Sequence, residues 1–230
     1  PSALIDKNEF TPPNDFDAWE ALVYETVYYY NVERGLNIQY WEVWNEPNLH
    51  FWEGSIQDYM DLYSATVRGL KRADSSAQIG GPATASFATT SPTFYRFEEE
   101  NWFTALINHV NENNLPLDFV SWHLYSITPE AYALNIAIHE EWLTDLDPRP
   151  PMFLTEWNFA AGAASAMDNG KSVSYLAKTL SILSDSNLEQ AFYFEPIDGG
   201  DDWIRKWGLI RADGMRKASF YAFTLFDKLD

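Results

Sequence analysis

Short apolar segments alternate along this chain with longer segments whose apolar residues recur every three or four positions. The first pattern is typical of buried strands and the second of amphipathic helices. Strands that alternate with helices of this length predict βαβ units, and therefore a parallel sheet in an α/β fold. No linker or low-complexity segment interrupts the alternation, so the sequence predicts a single domain over residues 1–230.

The boundaries of the elements follow from apolar spacing and from signals at their ends. Ser55 and Asp58 predict a capping box at the start of the second helix. Proline at position 148 predicts the end of the fourth helix. The predicted strands are 38–45, 78–81, 117–123, 152–156 and 190–195, and the predicted helices are 15–34, one that begins at Ser55, 97–114, 131–146, 172–187 and 217–229.

Composition narrows the classes of function. The formal net charge is −19 at pH 7. Nucleic acid and anionic membranes would be repelled by it, so we expect neither as a partner. No segment approaches the ~18 apolar residues of a membrane span. The absence of cysteine excludes disulfides and zinc–thiolate sites. Because no metal-ligand spacing and no glycine-rich phosphate loop is present, we expect no metal and no cofactor.

Aromatic residues are in excess: 10 Trp, 13 Tyr and 15 Phe make up 17% of the chain. Flat rings suit a carbohydrate pocket because they stack on the apolar faces of sugars, and they equally suit a large core. The first residues, Pro1-Ser2-Ala3-Leu4, contain neither an initiator methionine nor a signal peptide. We therefore expect a processed chain or a piece of a longer one, and both a secreted and a cytoplasmic location stay open.

Four of the five predicted strands end in polar side chains with catalytic chemistry. They are Asn45 and Glu46, His123 and Tyr125, Glu156, and Glu195. In parallel α/β folds the C-terminal ends of the strands carry the active-site groups. Three of these residues have a plain structural alternative. His123 could be a satisfied core histidine, Tyr125 could be packing, and Glu195 could pair with Arg205 or Lys206.

Glu46 and Glu156 form a pair of carboxyl groups of the kind that glycosidic-bond cleavage requires. One must protonate the leaving oxygen while the other is ionised. Apolar walls beside one group can raise its pKa above that of the other. Trp44 and Trp157 are candidates for such walls, with Trp157 against the substrate. Pro47 is expected to hold Glu46 in an extended conformation. Either glutamate taken alone could be a solvated or ion-paired loop residue.

Four stretches of the sequence resemble the clan A retaining glycoside hydrolases, and most of all glycoside hydrolase family 39, the β-xylosidase and α-L-iduronidase group. They are Trp41-Glu42-Val43-Trp44-Asn45-Glu46-Pro47-Asn48, Asp118-Phe119-Val120-Ser121-Trp122-His123-Leu124-Tyr125, Phe153-Leu154-Thr155-Glu156-Trp157-Asn158 and Gly208-Leu209-Ile210. The resemblance covers about the whole chain. It implies a TIM (β/α)₈-barrel architecture and double displacement on β-linked glycosides, as in β-xylosidases and β-glucosidases.

The resemblance also implies roles for the candidate residues. Glu46, on the fourth strand of the family barrel, would be the acid/base, and Glu156, on the seventh, the nucleophile. Asn45 would bind the sugar 2-hydroxyl group. The remaining residues would line the substrate site: His123 and Tyr125 on the sixth strand, which also hold the nucleophile, and Glu195 on the eighth.

The number of strands departs from the family pattern. Successive predicted strands end at intervals of about 37 residues, so eight of them would need roughly 300 residues. The resemblance therefore implies an incomplete barrel, with five strands that correspond to strands 4–8. Open sheet edges associate unless they are covered, so we expect a homo-oligomer that closes the open barrel edges. The alternative function is a weak or inactive carbohydrate-binding remnant of such a barrel.

Overall fold

A computed structural model describes residues 9–88, 96–159, 168–199 and 206–228 of the chain. Strands and helices alternate along these residues, which confirms the predicted α/β class. The first helix, Phe16–Val27, continues directly into a π-helical segment, Tyr28–Glu33. In chain order the elements are α1 (Phe16–Val27), β1 (Tyr40–Glu42), α2 (Ile56–Ala73), β2 (Gln78–Ala88), α3 (Arg96–Asn113), β3 (Phe119–Ser126), α4 (Glu130–Trp142), β4 (Met152–Phe159), α5 (Gly170–Ser184), β5 (Leu188–Tyr193) and α6 (Phe220–Phe226).

The five strands form one sheet in the order β1-β2-β3-β4-β5. Strands β1 and β2 pair in parallel with Tyr40 opposite Gln78, and β4 and β5 pair in parallel with Met152 opposite Leu188. Each strand is therefore paired with its neighbours in sequence, and a helix connects each pair, as in consecutive units of a barrel. The predicted fold class, an incomplete TIM (β/α) barrel of five parallel strands, is confirmed.

Strand β2 extends to Ala88, beyond the end that was predicted at Gly81. The prediction stopped there because glycine and proline usually end strands. In the fold, glycine at position 80 meets a different need. A Cβ atom at Gly80 would lie 2.3 Å from the carbonyl oxygen of Phe119, so strand β3 can approach only a residue without a side chain. Close approach, and not chain reversal, accounts for the glycine.

Strands β3 and β4 also end later than the sequence predicted. Strand β4 reaches Phe159, three residues past Glu156, and β3 reaches Ser126. His123 and Glu156 therefore lie inside their strands and not at the strand ends where they were predicted. Strand β1 is shorter than predicted, and α6 covers only part of the predicted segment 217–229.

Helices α1 and α2 begin at side-chain caps. The Asp15 carboxylate accepts hydrogen bonds from the amides of Asp17 and Ala18 at the start of α1. The predicted capping box of α2 is present, with the Ser55 hydroxyl and the Asp58 side chain each bonding to the other's backbone N–H. No described helix combines the length and the apolar character that a membrane crossing needs.

Contacts between Cα atoms divide the chain into two compact units, which we call the first and the second unit. The first unit comprises Pro1–Ala85, Arg96–Trp122 and Leu146–Pro151, and the second comprises Ser86–Tyr95, His123–Asp145 and Met152–Asp230. In the first unit, the apolar face of α2 forms the centre of the core through the buried side chains of Tyr59, Leu62, Tyr63, Val67 and Leu70. The single domain over 1–230 stays a prediction.

Aromatic packing dominates the core of the second unit. The Trp157 ring contacts Tyr132 edge to face at 5.9 Å between centroids and Tyr193 at 5.1 Å. Phe223 on α6 packs against the same tryptophan at 6.1 Å. Edge-to-face contacts of this kind add to the free energy that burial of the rings already provides. They tie strands β4 and β5 to helices α4 and α6.

Candidate active site

Glu46 lies in the first unit, four residues after the end of β1. Its side chain is buried, with the residue only 7% exposed. Two backbone hydrogen bonds of 2.9 Å fix its main chain: the Glu46 N–H donates to the Ala83 carbonyl, and the Glu46 carbonyl accepts from the Leu49 N–H. The main chain that carries this carboxyl group is therefore anchored to strand β2 and to the turn that follows.

The backbone at Glu46 is left-handed, with φ of +45°, so the predicted extended conformation is wrong. The prediction rested on the steric effect of Pro47 alone. The two tertiary and turn hydrogen bonds at Glu46 outweigh that local preference. Two neighbours also have positive φ. Trp44, two residues before Glu46, has φ of +68°, and Ala83, which accepts the Glu46 hydrogen bond, has φ of +53°. Such left-handed non-glycine residues cluster at functional sites, where the surrounding structure holds them.

The residues next to Glu46 have different environments. Asn45 is exposed three residues after the end of β1, so it is accessible to a ligand; its contact with a sugar stays a prediction. The Trp44 indole N–H donates to the Phe51 carbonyl at 2.8 Å, and its ring packs on Trp52 at 5.0 Å. Trp44 therefore forms an apolar support beneath this turn.

Glu156 lies in the second unit, within β4. Its Oε2 atom accepts a hydrogen bond of 2.7 Å from the Tyr125 hydroxyl, and the same oxygen lies 3.6 Å from His123 Nδ1. The His123 side chain is 1% exposed and that of Glu156 is 23% exposed. The structure therefore brings three of the predicted site residues together on two strands, β3 and β4.

The contacts of Glu156 favour its ionised form. A hydroxyl donor stabilises a carboxylate more than a neutral carboxylic acid, because donors to charged groups form the stronger hydrogen bonds. His123 would add to this stabilisation when it is protonated. Because His123 and Tyr125 are two residues apart on one strand, their side chains point to the same face of the sheet. This geometry suits a carboxylate that must act as a nucleophile.

Tyr125 is positioned by rings of the second unit. Its ring stacks on Phe87 at 5.9 Å with an interplanar angle of 22°. Phe194 and Trp207 contact it edge to face at 6.5 and 6.4 Å. The hydroxyl that reaches Glu156 is thus carried by a ring that is fixed on several sides.

Trp157 is 1% exposed, and its ring is packed within the aromatic core of the second unit. This is the environment of a core residue. The predicted role of Trp157 at the substrate can therefore be indirect, by packing that supports its neighbour Glu156. A direct contact between its ring and a sugar stays a prediction. Glu195 is partly buried after β5, and its carbonyl accepts from the Leu209 N–H at 3.2 Å. Its predicted contact with sugar hydroxyls stays a prediction, and Arg205 lies outside the described residues.

Asn158 has a structural role that the sequence analysis missed. Its side-chain amide donates to the carbonyl of Phe194 and to that of Trp207, the latter at 3.1 Å. It therefore joins the end of β4 to the segment after β5. The sequence does contain a signal that could have pointed to this residue, since Asn158 follows Glu156 by two positions just as Asn48 follows Glu46.

Buried tyrosines support the strands beneath Glu156. The Tyr132 hydroxyl donates to the Asn158 carbonyl at 2.8 Å, and the Tyr175 hydroxyl donates to the Ser126 carbonyl at 2.7 Å. Burial raises the pKa of Tyr132 well above its ordinary value, and burial likewise raises the pKa of Tyr175. Both groups therefore stay neutral donors at any working pH.

Comparison with known proteins identifies relatives over the full chain. The family model for Glycosyl hydrolases family 39 matches residues 1–230. The chain is 29% identical over 258 residues to a beta-xylosidase of Caldicellulosiruptor saccharolyticus, covering 97% of this chain and 49% of that relative. It is 28% identical over 260 residues to a beta-xylosidase of Geobacillus stearothermophilus, covering 97% of this chain and 48% of that relative.

A solved structure has the same fold. A monomeric beta-xylosidase from Caulobacter crescentus CB15 superposes with a TM-score of 0.79 at 23% identity, covering 99% of this chain and 50% of that chain. The chain therefore spans about half the length of the relatives that it matches.

Proposed function

Since the chain belongs to glycosyl hydrolases family 39, we propose that it carries the catalytic carboxyl groups of a retaining glycoside hydrolase that acts on β-linked glycosides. Glu156 is the nucleophile and Glu46 is the acid/base. The observation that carries this assignment is the hydrogen bond of 2.7 Å from Tyr125 to Glu156. This hydrogen bond orients the Glu156 carboxylate and favours its ionised form, as attack on the anomeric carbon requires.

The reaction proceeds in two displacements. In the first, a Glu156 oxygen forms a bond to the anomeric carbon, the bond from that carbon to the leaving oxygen breaks, and Glu46 gives that oxygen its proton. In the second, Glu46 takes a proton from water, the water oxygen attacks the anomeric carbon, and the bond to Glu156 breaks. Two inversions at the same carbon give net retention of configuration.

The proposed substrates are β-xylosides, with β-glucosides as the next candidates. The three relatives described above are beta-xylosidases. Asn45 is exposed beside Glu46, where a hydrogen bond to the sugar 2-hydroxyl group is possible. Glu195, His123 and Tyr125 complete the proposed set of sugar-binding residues.

The test is hydrolysis of aryl β-xylosides and β-glucosides by the wild type and by Glu156→Ala and Glu46→Ala variants. Loss of a catalytic nucleophile or acid/base lowers kcat by about 10²–10⁴-fold or more. Azide should restore turnover in both variants, with α-glycosyl azide from Glu156→Ala and β-glycosyl azide from Glu46→Ala. NMR of the wild-type reaction should show the β-anomer as the first product.

Matched controls are Glu189→Gln in the second unit and Glu25→Gln in the first, since both glutamates are exposed. They should retain wild-type rates. Equal residual rates for the wild type and Glu156→Ala would refute the catalytic assignment.

A second candidate function is a carbohydrate-binding remnant without appreciable turnover. It is favoured by one observation, that the chain spans about half of the catalytic relatives. Titration calorimetry with xylose and xylobiose separates the two candidates. Binding without turnover by the wild type would support the remnant and contradict the enzyme.

We also propose that copies of this chain associate through their sheet edges. The outer strand β1 has exposed residues such as Tyr40 at its edge. Beside it lies an apolar cavity of about 200 Å³ in the first unit. The other outer strand, β5, is exposed along four of its six residues, and Phe192 is half exposed. Light scattering at micromolar concentration should show a species larger than 26.5 kDa; a stable monomer would refute this.

A further inference from the structure

Asn48 makes a paired hydrogen bond with strand β2 in the first unit. Its side-chain amide donates to the Ala85 carbonyl at 2.9 Å, and its side-chain oxygen accepts from the Ala85 N–H at 2.9 Å. A side-chain amide thereby takes the place of a backbone partner for Ala85, which is itself buried. The ladder between β1 and β2 ends near Val43, whose N–H donates to the Gly80 carbonyl. Asn48 thus attaches the chain to β2 beyond the backbone bond that the Glu46 N–H makes to the Ala83 carbonyl.

This attachment closes a short loop around Glu46. The Glu46 N–H bonds to Ala83, two residues before Ala85 on the same strand. Trp44, Glu46 and Ala83 all have positive φ, a conformation that non-glycine residues keep only where surrounding contacts impose it. The bonds at Ala83 and Ala85 hold this turn to β2 at two points, Glu46 and Asn48. Without the second of them, the turn from Glu46 onward would be held by the Ala83 bond and its own local bonds.

We propose that Asn48 is a positioning residue for the acid/base Glu46. Its two hydrogen bonds hold the left-handed turn in the conformation that presents the Glu46 carboxyl group to the leaving oxygen. The inference rests on the proposed function for its catalytic consequence. Its structural content, that Asn48 controls the conformation of Glu46, is independent of turnover.

The chain offers a matched control at Asn31. The Asn31 amide makes the same paired bond, donating to the Ile38 carbonyl at 2.9 Å and accepting from the Ile38 N–H at 2.8 Å. It lies in the same unit, and it also bonds to Asp74. Asn31→Ala therefore removes the same backbone pair of hydrogen bonds, together with the bond to Asp74, from a part of the first unit that does not carry Glu46.

The activity test compares substrates that do and do not need an acid. Asn48→Ala should lower kcat/KM for xylobiose by about 10–100-fold, because its leaving group requires protonation. For 2,4-dinitrophenyl β-xyloside, whose leaving group departs without a proton, the loss should stay below about threefold for the glycosylation step. Asn31→Ala should lower both rates by the same small factor. Equal losses on the two substrates in Asn48→Ala would overturn the proposal.

Hydrogen exchange of backbone amides gives a readout that does not depend on turnover. Asn48→Ala should increase the exchange rates of the Glu46 and Ala85 amides by at least about tenfold, while Asn31→Ala should increase that of Ile38 and leave Glu46 unchanged. An unchanged Glu46 amide in Asn48→Ala would overturn the inference. A wild type that hydrolyses neither substrate, with the exchange result as expected, would refute the proposed function and leave the positioning role of Asn48 established.

Discussion

Replacement of Tyr125 by phenylalanine isolates the contact on which the nucleophile assignment depends. The substitution removes one oxygen atom, whose hydrogen bond to Glu156 Oε2 is 2.7 Å long. It leaves the ring that stacks on Phe87 and contacts Trp207. We therefore expect the fold to be retained and the ionised form of Glu156 to lose a donor.

The size of the effect follows from the exposure of the two groups. A hydrogen bond to a charged group contributes about 1.5–3 kcal/mol. The Glu156 side chain is 23% exposed, so water replaces part of the lost donor and the lower end applies. About 1.4 kcal/mol corresponds to one pH unit. The acidic limb of the kcat/KM profile should therefore move by about one unit to higher pH, since the charged form is destabilised.

The assay is a pH–rate profile for an aryl β-xyloside. Below the acidic limb, Tyr125→Phe should be about tenfold slower than the wild type, and on the plateau the two should agree within about threefold. Carboxyl ¹³C titration of Glu156 measures the same shift without turnover. Tyr175→Phe is the control, because it removes a buried hydroxyl that bonds to Ser126 and not to Glu156. An acidic limb that moves by less than about 0.3 unit in Tyr125→Phe would refute the reasoning.

Three further substitutions test the energetics of the fold. Lys217→Met should lower the free energy of unfolding by about 3–5 kcal/mol in urea denaturation, because it leaves buried Asp198 without its partner at 2.5 Å. The double variant with Asp198→Leu should recover most of this loss, and a single variant as stable as wild type would contradict the argument. Gly80→Ala should cost about 1–3 kcal/mol through its clash with strand β3. Gly170→Ala should change stability little, because beyond the chain neighbours and the backbone of its own helix no described atom lies within 4 Å of the added methyl; equal effects would rule the clash out. Hydrogen bonds lower the pKa of the Asp74 carboxyl group, the larger effect coming from the Ser76 hydroxyl and the next from the Asn31 amide. The contribution of Asp74 to the free energy of unfolding is therefore present above its pKa in the unfolded chain, and it is lost as the pH falls through its pKa in the folded protein. The difference in this free energy between wild type and Asp74→Ala should shrink between pH 7 and pH 2.

Local signals were sufficient to predict the elements of the fold. The capping box at Ser55 and Asp58 formed as the sequence indicated, because its hydrogen bonds join residues three apart. The alternation of apolar strands and amphipathic helices was enough to predict the parallel sheet, since parallel strands require a connection of helix length. These signals act over a few residues or over one repeating unit, and so they can be read without the fold.

Signals that depend on another strand were misread. The Gly80-Gly81-Pro82 sequence was taken as the end of β2, and in the structure it lies inside the strand because Phe119 approaches Gly80 closely. Glu46 was predicted to be extended from the identity of Pro47, and it is left-handed because the Ala83 carbonyl accepts its N–H. In both cases the deciding contact comes from a residue more than 30 positions away in sequence.

The sequence by itself determined the alternation of strands and helices in an α/β chain, the family motifs and the chemical types at the candidate site. Only the tertiary structure decided which of those side chains meet. Tyr125 and His123 contact Glu156 because the pairing of β3 with β4 sets which residues of the two strands are neighbours. The same pairing buries Trp157 among rings of the core. Because successive side chains of a strand alternate between two faces, the sequence shows which residues share a face. The register that aligns two strands is set by packing along their whole length.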